Sequence, residues 1–169
     1  MEIRRVVGEG GKQLEVALKH LQDKVGRVGW FEGAKYDDDA GTQVAMVAAQ
    51  NEYGNPSKNI PARPFMRPTI KAKENAWRKI ALDGSREVLK NRVSITDVME
   101  GIGQQAAGDI KATIRKIYEP PLSQRTIQAR ISRSSAIGRL NKNQAVSLSK
   151  PLIDTGHMLN TLINTVDDA

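Results

Sequence analysis

The chain has 169 residues, a formal net charge of +7 and no cysteine. This length is enough for one domain with one buried core, and the lack of cysteine excludes disulfides and thiolate metal sites. No apolar run approaches the roughly 18 residues that span a bilayer. The N-terminal MEIRRVVGEGG has no apolar signal core, so we expect neither a membrane segment nor secretion.

The first half of the chain predicts helices separated by a short strand and a proline-rich segment. Apolar residues at helical spacing predict a helix over 10–25, and a short strand follows and ends in a glycine turn. Residues 42–54 form the second predicted helix, which Gly54 would end. Prolines then exclude a helix, and helical spacing resumes past Pro68 and continues up to Gly84.

The second half predicts a long helix, a basic loop and a short C-terminal helix. Ser94 and Asp97 have the spacing of a capping box, and the helix they open would stop at Glu119. A short helix over 123–131 precedes a polar loop at 132–150 that we expect to be mobile or ordered by a partner. A helix from about 155 to 163 and an edge strand complete the chain.

Long helices with a few short strands predict an α+β fold. We expect a single domain over 1–169, with the helices packed on a small, mostly antiparallel sheet and a long basic loop beside them.

Positive charge is concentrated in one segment, 111–142, and the rest of the chain is close to neutral. Such a segment suggests DNA or an acidic partner surface nearby, and a solvated loop explains it equally well. The candidate DNA or partner contacts are Lys111, Arg115, Lys116, Arg125, Arg130, Arg133, Arg139 and Lys142.

The letters Asp154-Thr155-Gly156 match the triplet of aspartic proteases. Such an enzyme needs two facing carboxylates, and the triplet occurs once, so a homodimer would be required. A helical pattern follows the glycine, which favours a second interpretation: Asp154 or Thr155 caps the last helix. The histidines His20 and His157 lack metal-site spacing. We therefore predict no catalytic residue, no cofactor and no metal.

The proline segment has two interpretations, a subunit contact or a connector between two helices. A stiff chain loses little entropy when it docks, and arginines provide forked donors. The candidate structural and intersubunit residues are Ile60, Pro61, Arg63, Pro64, Phe65, Arg67 and Pro68.

Four blocks of the sequence resemble one known family. In chain order they are VGWFEGAKY, VAMVAAQNEYG, IPARPFMRPTI and KPLIDTGHMLNTL, and they span residues 28–162. Together they resemble the neck and tail-completion proteins (virion-morphogenesis or minor tail components) of long-tailed bacteriophages. The proline block is the most specific of the four.

The resemblance implies a non-enzymatic virion subunit, made in the bacterial cytoplasm, that forms a ring at the head–tail junction. The ring is commonly a hexamer that docks on connector or tail-tube proteins, and genomic DNA passes through its lumen. The proline block would be structural and intersubunit, and Asp154, Thr155 and Gly156 would start a helix. No membrane and no small-molecule substrate are implied. The alternative is a nucleic-acid-binding protein that uses the basic 111–142 segment.

Overall fold

The computed structural model describes residues 24–38, 40–136 and 149–168. It confirms the α+β class, with long helices and one small antiparallel sheet. Along the described residues, no helix is both long and apolar enough to cross a membrane. The elements are β1 (Lys24–Gly29), α1 (Val44–Tyr53), a 3-10 turn (Pro56–Lys58), α2 (Met66–Leu89), α3 (Ile95–Lys116), α4 (Gln124–Ala136), α5 (His157–Asn160) and β2 (Ile163–Asp168).

Within this domain the chain clusters into two compact units. The sheet unit comprises the described residues up to Val28, Glu74–Ala106 and those from Asn164 onward. The arm unit comprises the described residues of Gly29–Lys73 and Ala107–Ile163. Helices α2 and α3 each have residues in both units.

Close backbone approaches hold the sheet unit together. A Cβ atom added at Gly84 of α2 would lie 2.4 Å from a methyl carbon of Val98 on α3. A Cβ atom at Gly103 of α3 would lie 2.8 Å from the Cβ atom of Asn164 on β2. Glycine at these two positions therefore lets α3 pack tightly against both α2 and the sheet.

The largest buried side chains belong to the arm unit. Val44, Phe65, Ile114 and Leu162 are each 0% exposed. Ile114 shares a buried face of α3 with Ala107 and Ile110, because residues three and four apart lie on one face of a helix. The core thus joins α1, the proline segment, α3 and the residues before β2.

Two local signals in the sequence correctly mark helix boundaries. The backbone N–H of Asp97 donates to the Ser94 hydroxyl at 3.1 Å, and the Ser94 N–H donates to the Asp97 carboxylate at 3.1 Å, which confirms the capping box. Gly54 follows α1 as predicted, with φ of 79° and ψ of 166°, a conformation essentially restricted to glycine.

Other predicted boundaries are wrong. Helix α2 does not stop at Gly84 but runs to Leu89, because a glycine weakens a helix without ending it and here allows close packing. Helix α2 also begins at Met66, so Arg67 and Pro68 are helical and not extended. Proline is tolerated there because the first turn of a helix has no partner for its N–H groups.

Corrections also apply near both ends. Most of the helix predicted over 10–25 lies outside the described residues, and Lys24 and Val25 are in β1 because the chain there pairs with β2. Helix α5 is a single turn, since the chain turns into β2 at Ile163. Residues 132–136 of the predicted loop continue α4, and 137–148 lie outside the described residues.

Candidate functional site: the proline arm

The proline arm, Ile60–Pro68, is fixed at its helical end by one buried carboxylate. Glu52, in the last turn of α1, is 3% exposed. Its Oε2 accepts the backbone N–H groups of Phe65 at 2.6 Å and Met66 at 2.9 Å, and its Oε1 accepts the N–H of Arg67 at 3.2 Å. These groups open α2, and a negative charge at a helix N-terminus is stabilising.

Glu52 and Pro68 together account for the donors that begin α2. A helix leaves about four N–H groups without an intrahelical partner at its start. Three of them donate to Glu52, and the fourth position is Pro68, which has no N–H. The start of α2 is therefore satisfied without water.

The pKa of Glu52 reflects two opposing causes. Burial raises it, and the hydrogen bonds from Phe65, Met66 and Arg67 lower it. The hydrogen bonds outweigh burial, so the pKa lies below the ordinary value of a glutamate. The carboxylate is accordingly charged at neutral pH.

Arg67 joins the same carboxylate to an exposed ring. Its Nε donates to Glu52 Oε1 at 2.9 Å, and its guanidinium carbon lies 4.7 Å from the ring centroid of Tyr53. Arg67 thereby orients the Tyr53 side chain, which is 66% exposed.

Arg63 is directed inward. It is 4% exposed, its Nε donates to the Pro120 carbonyl at 2.7 Å, and its terminal nitrogen donates to the Pro121 carbonyl at 3.0 Å. Burial, with a smaller effect from the charge of Arg130, lowers the pKa of Arg63. Arg63 thus binds the arm to the turn after α3 and is not a surface donor.

Phe65 is also internal. Its ring packs edge-on against Trp30, with centroids 5.8 Å apart, and Trp30 Nε1 donates to the Met158 carbonyl at 2.8 Å. Phe65 is therefore part of the arm unit's own core.

The outer face of the arm retains its stiff, uncharged residues. Pro61, Pro64 and Pro68 are exposed and Ile60 is half-buried. With Tyr53, Ile60 and Pro61 line a shallow groove of about 580 Å³. Of the seven residues predicted from the arm, Arg63 and Phe65 are buried. The other five reach the surface: Ile60, Pro61, Pro64, Arg67 and Pro68.

Arg130 of α4 organises the residues that lead to Asp154. The residue is 7% exposed, and its guanidinium donates to the carbonyls of Lys150 at 2.8 Å, Ile153 at 2.9 Å and Pro151 at 3.3 Å. Burial lowers the pKa of Arg130, opposed by the charge of Asp154. This arginine is a structural group and is not available to a polyanion.

Of the two residues predicted to accept the first N–H groups of the last helix, Thr155 does so and Asp154 does not. Its carboxylate lies 3.6 Å from Arg130 Nε and 3.0 Å from a terminal nitrogen of Arg133. Gly156, at φ of 81°, is the residue that precedes α5, and the Thr155 hydroxyl accepts the His157 N–H at 3.3 Å. Two arginines from α4 bind the aspartate, so it is not turned toward the free N–H groups of α5.

The side chains that face Asp154 can be compared with those around the catalytic carboxylate of an aspartic protease. An aspartic protease opposes two carboxylates, whereas this carboxylate faces two guanidiniums. In the described ranges, no three side chains among His, Cys, Asp and Glu cluster as a metal site.

A cavity of about 320 Å³ with both polar and apolar lining residues lies beside Asp154 in the arm unit. His157 Nε2 is 2.8 Å from the Lys35 carbonyl, and the His157 and Tyr36 ring centroids are 5.0 Å apart. Burial, and then the charge of Asp154, raise the pKa of Tyr36. The cavity could accommodate a small polar group, and its side chains are already fixed by contacts within the unit.

The residues of the predicted basic set differ in exposure. Arg115, Lys116 and Arg125 are exposed, and Lys111 is half-buried. Arg139 and Lys142 lie outside the described residues. The sequence analysis did not identify Glu52, although a lone acid in the apolar stretch of α1 was a signal that could have singled it out.

A scan against protein-family models, a search of curated proteins and a search of solved structures each found no match.

Proposed function

We propose that this chain is a structural virion subunit that assembles into a closed ring at the head–tail junction of a long-tailed bacteriophage. The ring would join connector and tail proteins around the DNA channel, and it is commonly a hexamer in the family that the sequence resembles. The chain would act by binding and positioning, with no catalytic role.

One observation carries the proposal: the four blocks that resemble the family pack against one another. Trp30 of the first block contacts Phe65 of the third and donates to Met158 of the fourth. Glu52 of the second block binds the backbone at Phe65–Arg67 of the third. Motifs that are far apart in the chain thus form one core, which is what an architecture shared across a family requires.

The arm supports an assembly role through fewer of its residues than the sequence suggested. Glu52 and Arg63 fix its inner side to the arm unit, so its outer side is rigid before any partner arrives. A rigid surface loses little entropy when it binds. Pro61, Pro64 and the Tyr53 ring are the exposed groups available for an intersubunit contact.

The test is the assembly state of the purified full chain. Native mass spectrometry with negative-stain electron microscopy should find closed rings with an open centre, either alone or after addition of tails that lack the protein. A chain that stays monomeric in both conditions would refute the proposal.

Exposed cations favour a second candidate, non-specific nucleic-acid binding. Arg115, Lys116 and Arg125 have exposed side chains in the arm unit. Replacing all three with glutamine should change the slope of log K against log salt concentration. The slope should become less steep by about 0.9 for each lost phosphate contact. An unchanged slope would remove this candidate.

A further inference from the structure

Tyr53 is the most exposed aromatic side chain among the described residues of the arm unit. Tyr53 ends α1 and is 66% exposed, the highest value for a large hydrophobic side chain in the described ranges. The guanidinium of Arg67 covers one face of its ring at 4.7 Å, and the exposed Lys58 lies in the adjoining 3-10 turn. This side chain is therefore an oriented ring with positive charge beside it.

The sheet unit has an apolar groove with an acidic rim between α2 and α3. It has a volume of about 470 Å³, and its walls are the apolar side chains of Ile80, Val93 and Val98 with the backbone of two glycines. Ile80 and Val93 are 39% and 41% exposed. The charged side chains that line the groove in the described ranges are all acidic: Asp83, Glu87 and Asp97.

Three cations outside the groove, equal in number to the three acids of its rim, pair with two of those acids. Arg86 pairs with Asp83 at 2.7 Å, and Lys90 and Arg92 pair with Glu87 at 2.7 and 3.1 Å. These pairs are exposed, so solvent screens them and their atoms stay exchangeable. The carboxylates can therefore still accept a hydrogen bond or a cation from an incoming surface.

We propose that Tyr53 of one copy inserts into the α2–α3 groove of the next copy, a contact that rests on the ring proposed above. The ring would fill the apolar groove, the phenolic hydroxyl would donate to a rim carboxylate, and Arg67 and Lys58 would face that rim. The apolar walls suit an aromatic ring, and the rim carboxylates are acceptors for the phenolic hydroxyl and for the two cations. Buried tyrosines with arginine neighbours are also the side chains that dominate binding energy at interfaces.

The two halves of this contact are different surfaces of one chain. A contact between unlike surfaces is heterologous, and it generates a ring when the rotation between copies closes. A two-fold dimer would instead place the same surface on both sides. The inference therefore names a contact of the type that a ring needs.

The first test fills the groove. Gly101 lines it on α3, and a Cβ atom there would meet no atom within 4 Å, so the position admits a side chain and Gly101→Trp adds an indole ring at the groove. Gly108→Trp is the matched control, because Gly108 is on the same helix, is equally open and is outside the groove. Gly101→Trp should abolish self-association and Gly108→Trp should not.

The second test removes the Tyr53 ring. Tyr53→Ala should weaken self-association about 30-fold or more, the size expected when an interface anchor is truncated. Tyr118→Ala is the control, since Tyr118 is also exposed in the arm unit at 52%. Sedimentation velocity measures association, and circular dichroism confirms that each variant is folded.

A third test uses the absence of native cysteine. Lys58→Cys and Asp83→Cys chains, which both keep Tyr53 and the apolar walls of the groove, are purified separately and then mixed under oxidising conditions. A disulfide-linked dimer should form in the mixture and not in either variant alone.

The outcomes separate this contact from the proposed function. If rings form and all variants keep them, with no cross-link, the contact is wrong and the ring proposal stands. The groove would then bind another segment of the chain or a different protein. If the wild-type chain forms no ring, alone or with tails, the proposed function fails and takes the contact with it.

Discussion

The carboxylate of Glu52 accepts the backbone N–H of Phe65 at 2.6 Å, although the two residues are thirteen positions apart. This bond joins the end of α1 to the start of α2 across the whole proline segment. Because Oε2 also accepts the N–H of Met66, the carboxylate acts as a cap provided by a different helix. The conformation of the arm therefore depends on one buried acid.

Glu52→Gln should destabilise the protein by about 3 kcal/mol. The amide nitrogen of glutamine is a donor, and it would face backbone N–H groups that are donors too. One of these N–H groups would be left without an acceptor. Urea unfolding followed by tryptophan fluorescence measures the change, with exposed Glu32→Gln as the control that should be neutral. Equal stability of the two variants would contradict the role of Glu52 as a cap.

Stability should fall in acid because the folded protein lowers the pKa of Glu52 below its ordinary value of 4.5. A group of this kind contributes fully above its unfolded pKa, and the contribution is lost as the pH falls through the folded pKa. Urea midpoints should thus be level near neutral pH and decline below about 4.5. Glu52→Gln should reduce the decline without removing it, since Asp38, Glu87, Asp97 and Asp168 also have lowered pKa values. A variant with the wild-type pH profile would contradict the assignment.

Arg130→Met should cost about 3 kcal/mol of stability. The substitution leaves the carbonyls of Lys150, Pro151 and Ile153 without their donor in a buried site. Arg125→Met, on the exposed face of the same helix, should change stability little. If both variants instead lost DNA binding to the same extent and kept full stability, Arg130 would be a surface cation after all.

Two glycines in the sheet unit should respond in opposite directions to alanine. Gly101→Ala should stabilise by about 0.5–1 kcal/mol, because alanine is a better helix former and the site is open. Gly84→Ala should destabilise by about 1–3 kcal/mol, since Val98 is stiff and its methyl carbon lies 2.4 Å from the new Cβ atom. Urea unfolding tests both, and a stabilised Gly84→Ala would show that α2 and α3 are not in close contact.

Local chemistry was predictable from the sequence, and long-range pairing was not. Ser94 and Asp97 are three residues apart, so their capping box follows from sequence spacing alone. Asp154 also has a local pattern typical of a cap, but Arg130 and Arg133, more than twenty residues upstream, bind it instead. A charged side chain pairs with the strongest partner within reach in the folded chain. Sequence spacing does not reveal which residue that is.

The site was predictable in outline only. The prolines identified the arm, but they did not show that Arg63 and Phe65 turn inward, because burial depends on α3 and on Trp30. The charge count likewise treated Arg130 and Arg125 alike, although one is buried and the other exposed. Which of these residues are exposed therefore became visible only in three dimensions.

Electron microscopy of phage particles carrying an epitope-tagged copy of this chain tests the central claim most directly. We predict that an antibody label will mark the junction between head and tail, and that a map of that region will contain the chain as a closed ring around the DNA channel. Label found elsewhere on the particle, or particles that contain no copy of the chain, would contradict the account.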